Sequence, residues 1–403
     1  MKKYINYTLL LSTLLFICSC SSDDDPIPTP EPQTNPTIEV TMGSSFAVDR
    51  YNVIKIEPTI NIANAEGVPV SYQWSINENG TDSIIGKEKT LAFISPRNGA
   101  YTVDFTVTCG NITQKKATQV TVKTNGKTFT KQAGKVIDYL PAPFDLYWLF
   151  QYIGGESRET LLNVAQTNLD SGSEAIELGT FGGYVVLQFD HTVINTYGKR
   201  DFFVNCNNTN KSPAIIQVAY DANKNGIADE DEWYEIAGSE HHKSTTIKDY
   251  EITYYEPDYS KDPVPGKLAW QVNTELLKWS DNKGGVGYIT QTDRTSSDSY
   301  YPAWAGKSFS FTGTKLYLPT KDVSDGEGTK WNVGTYDWGY GGAKDSTIDI
   351  DWAVNKDGDK VNLPGIDFVR LYTSSFNEIG PEGLLTAKIL SVEDLNFVAS
   401  DKS

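Results

Sequence analysis

The chain has 403 residues, with 52 acidic against 35 basic side chains and a formal net charge of −17. A polyanion of this kind repels phosphate backbones, and no Lys/Arg run follows the first three residues, which argues against nucleic-acid binding. Hydrophobic residues at 39% supply enough apolar surface for two or three folded domains and exclude a mostly disordered chain.

Lys2 and Lys3 open the sequence, and an apolar run extends from Leu9 to Cys18. The run is shorter than the ~20 residues a bilayer-crossing helix needs, and it matches the core of an export signal. Residues 1–19 are therefore read as a lipoprotein signal peptide. The segment Ile17-Cys18-Ser19-Cys20 resembles a bacterial lipobox, with small Ser19 before Cys20, whereas Ile17 is too bulky to precede cleavage at Cys18. That resemblance implies lipidation of Cys20. Ser21, Ser22, Asp23, Asp24 and Asp25 resemble the acidic export tag of lipoproteins displayed on the outer face of the Gram-negative outer membrane. The expected address is the cell surface, held to the outer membrane by a lipid anchor. From Pro26 to Pro36 recurrent prolines remove amide donors and leave an extended spacer, so residues 20–36 form tag and linker.

Residues 37–124 alternate in polarity with period two over Ile38–Thr41, Val53–Ile56, Val70–Ile76, Tyr101–Cys109 and Ala117–Val122. Turn signals at Asn79-Gly80, Asn98-Gly99 and Cys109-Gly110-Asn111 separate these runs. Alternation places Tyr72, Trp74 and Ile76 on one face, with Trp74 as a plug between two sheets. The stretches Tyr72-Gln73-Trp74 and Asn98-Gly99-Ala100-Tyr101-Thr102-Val103 resemble a PKD-like domain, with Asn77-Glu78-Asn79-Gly80 standing where that family has a Gly-Asp-Gly turn. The resemblance implies a spacer that performs no chemistry. Cys109 and Cys206 fall in different domains, so no disulfide framework is expected.

Residues 125–403 carry strand-like runs at Gly183–Phe189, Asp201–Cys206, Ala214–Tyr220, Trp233–Ile236, Tyr250–Tyr255, Lys307–Phe311, Lys315–Leu318, Ser346–Val354 and Ile366–Tyr372. Short helices are expected only at Thr160–Asn168 and Thr274–Leu277. The absence of βαβ alternation and of a Gly-rich phosphate loop argues against a nucleotide domain. The predicted fold is all-β: an Ig/PKD-like β-sandwich followed by a larger jelly-roll-like β-sandwich, with room for a second sub-sheet. The string from Leu178 to Asp190, Asp201-Phe202-Phe203-Val204, and Gly365 to Arg370 resemble an uncharacterised family of Gram-negative cell-surface lipoproteins that pair a PKD-like domain with this one.

One loop carries readable chemistry. Residues 221–232 match D-x-[DN]-x-[DN]-G-x5-E throughout. Asp221, Asn223 and Asn225 offer oxygens at alternate positions, Gly226 permits the turn, Ile227 offers its carbonyl, Asp229 adds a carboxylate and Glu232 two oxygens. A structural Ca2+ is expected, in a loop without the EF-hand's entering helix; an acidic turn with no ion is the alternative.

No catalytic residue is assigned. Adjacent His241 and His242 would point to opposite faces of a strand, and His191 stands apart, so no zinc spacing occurs. Aromatic residues crowd between Tyr300 and Tyr340, and Trp304, Trp331, Tyr336, Trp338 and Tyr340 lie in loop-like segments beside Gly, Asp and Ser. They are candidates for a face that stacks on sugar rings or on a corrin-like ring system; covering the core is the other reading. The expected function is capture of an extracellular nutrient for uptake through a TonB-dependent transporter, with a glycan as first ligand and a corrinoid as second. A glycoside hydrolase with paired carboxylates, or a structural, adhesive surface protein, is the rival.

Overall fold

Alternating burial builds the first module. In the strand Gly99–Cys109 the side chains of Val103, Phe105, Val107 and Cys109 are fully buried while their neighbours reach solvent, as the two-residue pleat requires. This strand sits in the middle of a five-stranded sheet ordered Ser45–Asp49, Ile112–Lys123, Gly99–Cys109, Val70–Glu78 and Thr81–Gly86. Two short antiparallel pairs, Thr37–Thr41 with Thr59–Ala63 and Ile54–Ile56 with Leu91–Phe93, contribute the remaining core residues. Trp74 is the plug. Its ring lies 4.4 Å from that of Phe105, and its Nε1 donates to the carbonyl of Glu88 at 2.9 Å, so the large apolar body is buried without stranding its polar atom.

The computed structural model describes residues 35–78, 81–144, 157–207, 212–294 and 301–399. The signal segment, Cys20, the acidic tag, most of the Pro-rich linker and the Asn79-Gly80 turn lie outside them. No helix among the described residues is long and apolar enough to cross a membrane.

Among its described residues the second module is all-β apart from one helix and single 3₁₀ turns. A six-stranded antiparallel sheet runs in the order Lys135–Leu140, Tyr184–Ile194, Gly365–Thr373, Ala214–Ala219, Trp233–Ile236 and Ala353–Val354. A four-stranded sheet is ordered Ile176–Glu177, Lys388–Asp394, Phe202–Cys206 and Thr347–Ile348. The second sub-sheet holds Val286–Thr292, Gln271–Asp281, Ile247–Tyr255 and Ser308–Lys315. All three sheets share one core, including Leu187, Ile216, Phe202, Ile389, Tyr254 and Phe311.

The expected helix at Thr160–Asn168 is Arg158–Ser171. Ser157 caps it by accepting from the Thr160 amide, and Gly172 at φ 63° ends it by donating to the Asn168 carbonyl. The expected helix at Thr274–Leu277 is instead strand. These four residues are too few to nucleate a helix alone, and they lie in Gln271–Asp281, paired with Val286–Thr292 through register shifts between Asn273 and Leu277. The helical propensity of the segment survives only as that irregularity. The run Ser346–Val354 is also broken, because Asp349 accepts from the Asp351 amide and turns Ile350–Trp352 into a 3₁₀ helix.

Asp201 holds that turn in place. The residue is wholly buried, and its two carboxylate oxygens accept from the amides of Thr196 (2.8 Å) and Ile350 (2.9 Å). Burial pushes its carboxyl up to about 8, with Asp349 and Asp351 adding in the same direction against those two hydrogen bonds. A raised folded value means that the group's contribution to stability is complete below the ordinary value of 3.8 and is lost as pH rises to about 8. Urea midpoints of the wild type should therefore fall between pH 5.5 and pH 8.5, and Asp201→Asn should flatten that slope. Equal slopes for the two proteins would remove Asp201 from the account.

Candidate functional site

The two modules meet at a seam built from residues far apart in sequence. Arg50 and Tyr51 follow the strand Ser45–Asp49, and Tyr51 adopts φ 58°, a left-handed conformation that bulky residues rarely take. Its hydroxyl accepts from the Val398 amide at 3.0 Å, and Arg50 donates to the Val398 carbonyl at 2.9 Å. Tyr51, Phe129 and Ile194 form a small core of their own, joined by Ile94 and Phe397.

His191 sits inside this seam. Its Nδ1 lies 2.7 Å from Asp190 Oδ1 and its Nε2 3.0 Å from Asp394 Oδ2, while its ring is 4.5 Å from that of Tyr51. Carboxylates only accept, so both bonds exist together when each ring nitrogen carries a proton. A cleft of about 600 Å³ opens beside the imidazole, inside the range of about 300–1,000 Å³ common for ligand sites. Asn52 lines it from the first module, and Asn125, Gln188, Tyr220 and Asp367 from the second. Burial raises the Asp367 carboxyl above its ordinary value and pushes the Tyr220 hydroxyl up to about 12, so Tyr220 is a neutral donor at physiological pH. Asp367 accepts from Thr192 Oγ1 at 2.6 Å and from the Asp221 amide at 2.8 Å. Asp190 also accepts from the amide and hydroxyl of Thr130. These carboxylates are committed to holding the cleft's walls.

Asp221 ties the cleft to residues 221–232. The loop connects Ala214–Ala219 to Trp233–Ile236, strands that pair with each other, so it is a hairpin connection with strands on both sides. Asp221 accepts from the amides of Asn225 and Gly226 (φ 77°), Asn223 from Asn225, and Asn225 from Ile227. The oxygens of Glu232 accept from the amides of Ala222 and Asp229. Asp229 Oδ2 takes both Asn side-chain amides. Among the described residues no three His, Cys, Asp or Glu side chains gather as a metal group; Asn side chains and backbone carbonyls, which the loop also carries, are hard oxygen ligands of the kind calcium takes.

The aromatic set does not form one face. Tyr336 and Tyr340 are each 2% exposed and belong to the core, with the Tyr340 hydroxyl accepting from the Glu240 amide. Trp331 is half-buried and donates to the Gly328 carbonyl. Trp304 packs on the core with Arg158 5.8 Å from its ring. Only Trp338 is exposed, at 38%, and it pairs with Trp352, which sequence reasoning passed over. Of the other histidines, His241 is buried against Glu235 at 3.1 Å and His242 is exposed.

No protein-family model matches the chain, and no curated protein matches it. Among solved structures, 25% of the chain is similar to 96% of the PKD domain of human KIAA0319, at 21% identity and a TM-score of 0.20. Another 14%-identical likeness covers 40% of the chain and 35% of a quinonprotein alcohol dehydrogenase-like protein from Bacteroides thetaiotaomicron, with a TM-score of 0.16. A third covers 69% of the chain and 25% of the apo β-glucuronidase 3 of Bacteroides uniformis, at 9% identity and a TM-score of 0.16. The chain thus spans about a third and a quarter of these two bacterial proteins, and nothing about activity passes from them to it.

His191→Ala leaves the carboxylate of Asp394, 2% exposed, without its partner. The expected loss is about 3–5 kcal/mol of stability, with faster proteolysis between residues 124 and 134. An unchanged melting temperature and cleavage rate would show that the imidazole is dispensable to the seam.

Proposed function

We propose that the chain is an outer-membrane surface lipoprotein that captures a polar extracellular nutrient, a glycan before a corrinoid, in the cleft between its modules, for a TonB-dependent transporter. The observation that carries the reading is the cleft itself. Asn52, Asn125 and Gln188 line it together with Tyr220, whose hydroxyl is neutral at physiological pH, a lining suited to ligands rich in hydroxyl and amide groups. The anchor and address rest on Cys20 and Asp23 to Asp25 in the sequence. The hydrolase reading is less well supported, since Asp190, Asp221 and Asp367 are engaged by local donors.

Asn52 lines the cleft from the first module and Gln188 from the second. Calorimetric titration of the whole protein with an oligosaccharide panel and with cyanocobalamin should give binding to at least one, weakened about tenfold by Asn52→Ala with Gln188→Ala. Binding to none, or binding indifferent to that double change, rejects the cleft.

In this reading residues 221–232 hold a structural Ca2+. An ion bound only by the folded state stabilises by about 2.7 kcal/mol at a hundredfold excess over its dissociation constant. Chelation should lower the melting temperature of the second module, leave that of the first unaffected, and lose its effect in Asp221→Ala or Glu232→Ala. Identical melting curves with calcium and with chelator would make the loop an acidic turn.

A further inference from the structure

Trp338 is the exposed member of an otherwise immobilised segment. Tyr336 and Tyr340, on either side, are buried in the core with ring centroids 5.0 Å apart. The Trp338 carbonyl accepts from the Ser239 amide at 3.1 Å, and the carbonyls of Tyr336 and Asp337 accept from Lys344 and Asp345 at 3.0 Å. Gly339, at φ 84°, packs so closely that a Cβ there would stand 2.4 Å from the Cα of Gly238. The indole is therefore presented from a fixed backbone, and little conformational freedom remains to be lost when something stacks on it.

The ring is also backed. Trp352 lies 4.6 Å away at 53°, and the Arg200 guanidinium stands 4.2 Å from the Trp352 ring while donating to Asp349 Oδ2 at 3.2 Å. An aromatic surface left in water beside a half-exposed guanidinium combines an apolar plane with directional donors. A pyranose presents the matching surfaces: a face of C–H groups and a rim of hydroxyls. None of these four residues lines the interdomain cleft.

We propose that Trp338, supported by Trp352 and Arg200, is a second ligand site that stacks on the apolar face of a pyranose ring, independent of the cleft. The test uses the whole protein titrated with cellohexaose, maltohexaose and mannohexaose, followed by Trp fluorescence and calorimetry. At least one hexasaccharide should bind and change the fluorescence. Trp338→Ala should weaken that binding about tenfold, while Asn52→Ala with Gln188→Ala leaves it unchanged. Thermal melting checks the fold, and should Trp338→Ala melt early, Trp338→Phe is read in its place, with a smaller loss expected. Three results overturn the proposal: no binding of any of the three sugars, binding unaffected by the Trp338 changes, or loss confined to the cleft double variant. The last of these leaves the cleft reading standing and removes only the platform.

Discussion

A carboxylate at each nitrogen of one buried imidazole is the constraint on which the relation between the modules depends. A charged group taken out of water is tolerated when it finds a partner in good geometry, and His191 supplies one to buried Asp394 at the end of another strand while meeting exposed Asp190 on its own. The ring is then available as an apolar surface, and Tyr51, Phe129 and Phe397 gather on it. From that small core follow the strained backbone of Tyr51, the tethering of Val398 and the position of the cleft beside them.

Elements governed by short-range periodicity were legible in the sequence. The row Val103, Phe105, Val107, Cys109 is buried as alternation requires, and Trp233–Ile236 is a strand with the bounds expected of it. Composition misleads where the backbone leaves regular structure. Tyr336, Trp338 and Tyr340 lie in a loop-like, Gly- and Asp-rich segment and are candidates for one face, yet Gly339 takes a left-handed turn and Trp338 points outward while both tyrosines enter the core. The segment Thr274 to Leu277 reads as helix by composition, and pairing with Val286–Thr292 at Asn273 before it and at Leu277 overrides that preference.

The seam was not legible at all. Arg50 and Val398 are 348 positions apart, and Tyr51 and His191 belong to different modules. No run, spacing or turn signal links them, because the residues are brought together only once both sandwiches exist. Residues 221–232 show the opposite case. Their pattern is local, and Asp221, Asn223 and Asn225 accept hydrogen bonds from backbone amides two to five residues ahead.

Tethering of residues 394–398 to the first module fixes when the cleft can arise. A chain emerging from its N-terminus can fold the first sandwich early, since the core of that module closes among residues between Ile38 and Val122. Asp394 and Val398 follow more than 270 positions later. Until they are made, His191 lacks one carboxylate and the Tyr51 hydroxyl lacks the Val398 amide, so a product truncated before Asp394 would carry a finished first module and an unfinished seam. The cleft is thus a late product of synthesis, set in place once the last strand and the few residues that trail from it hold the seam beside it.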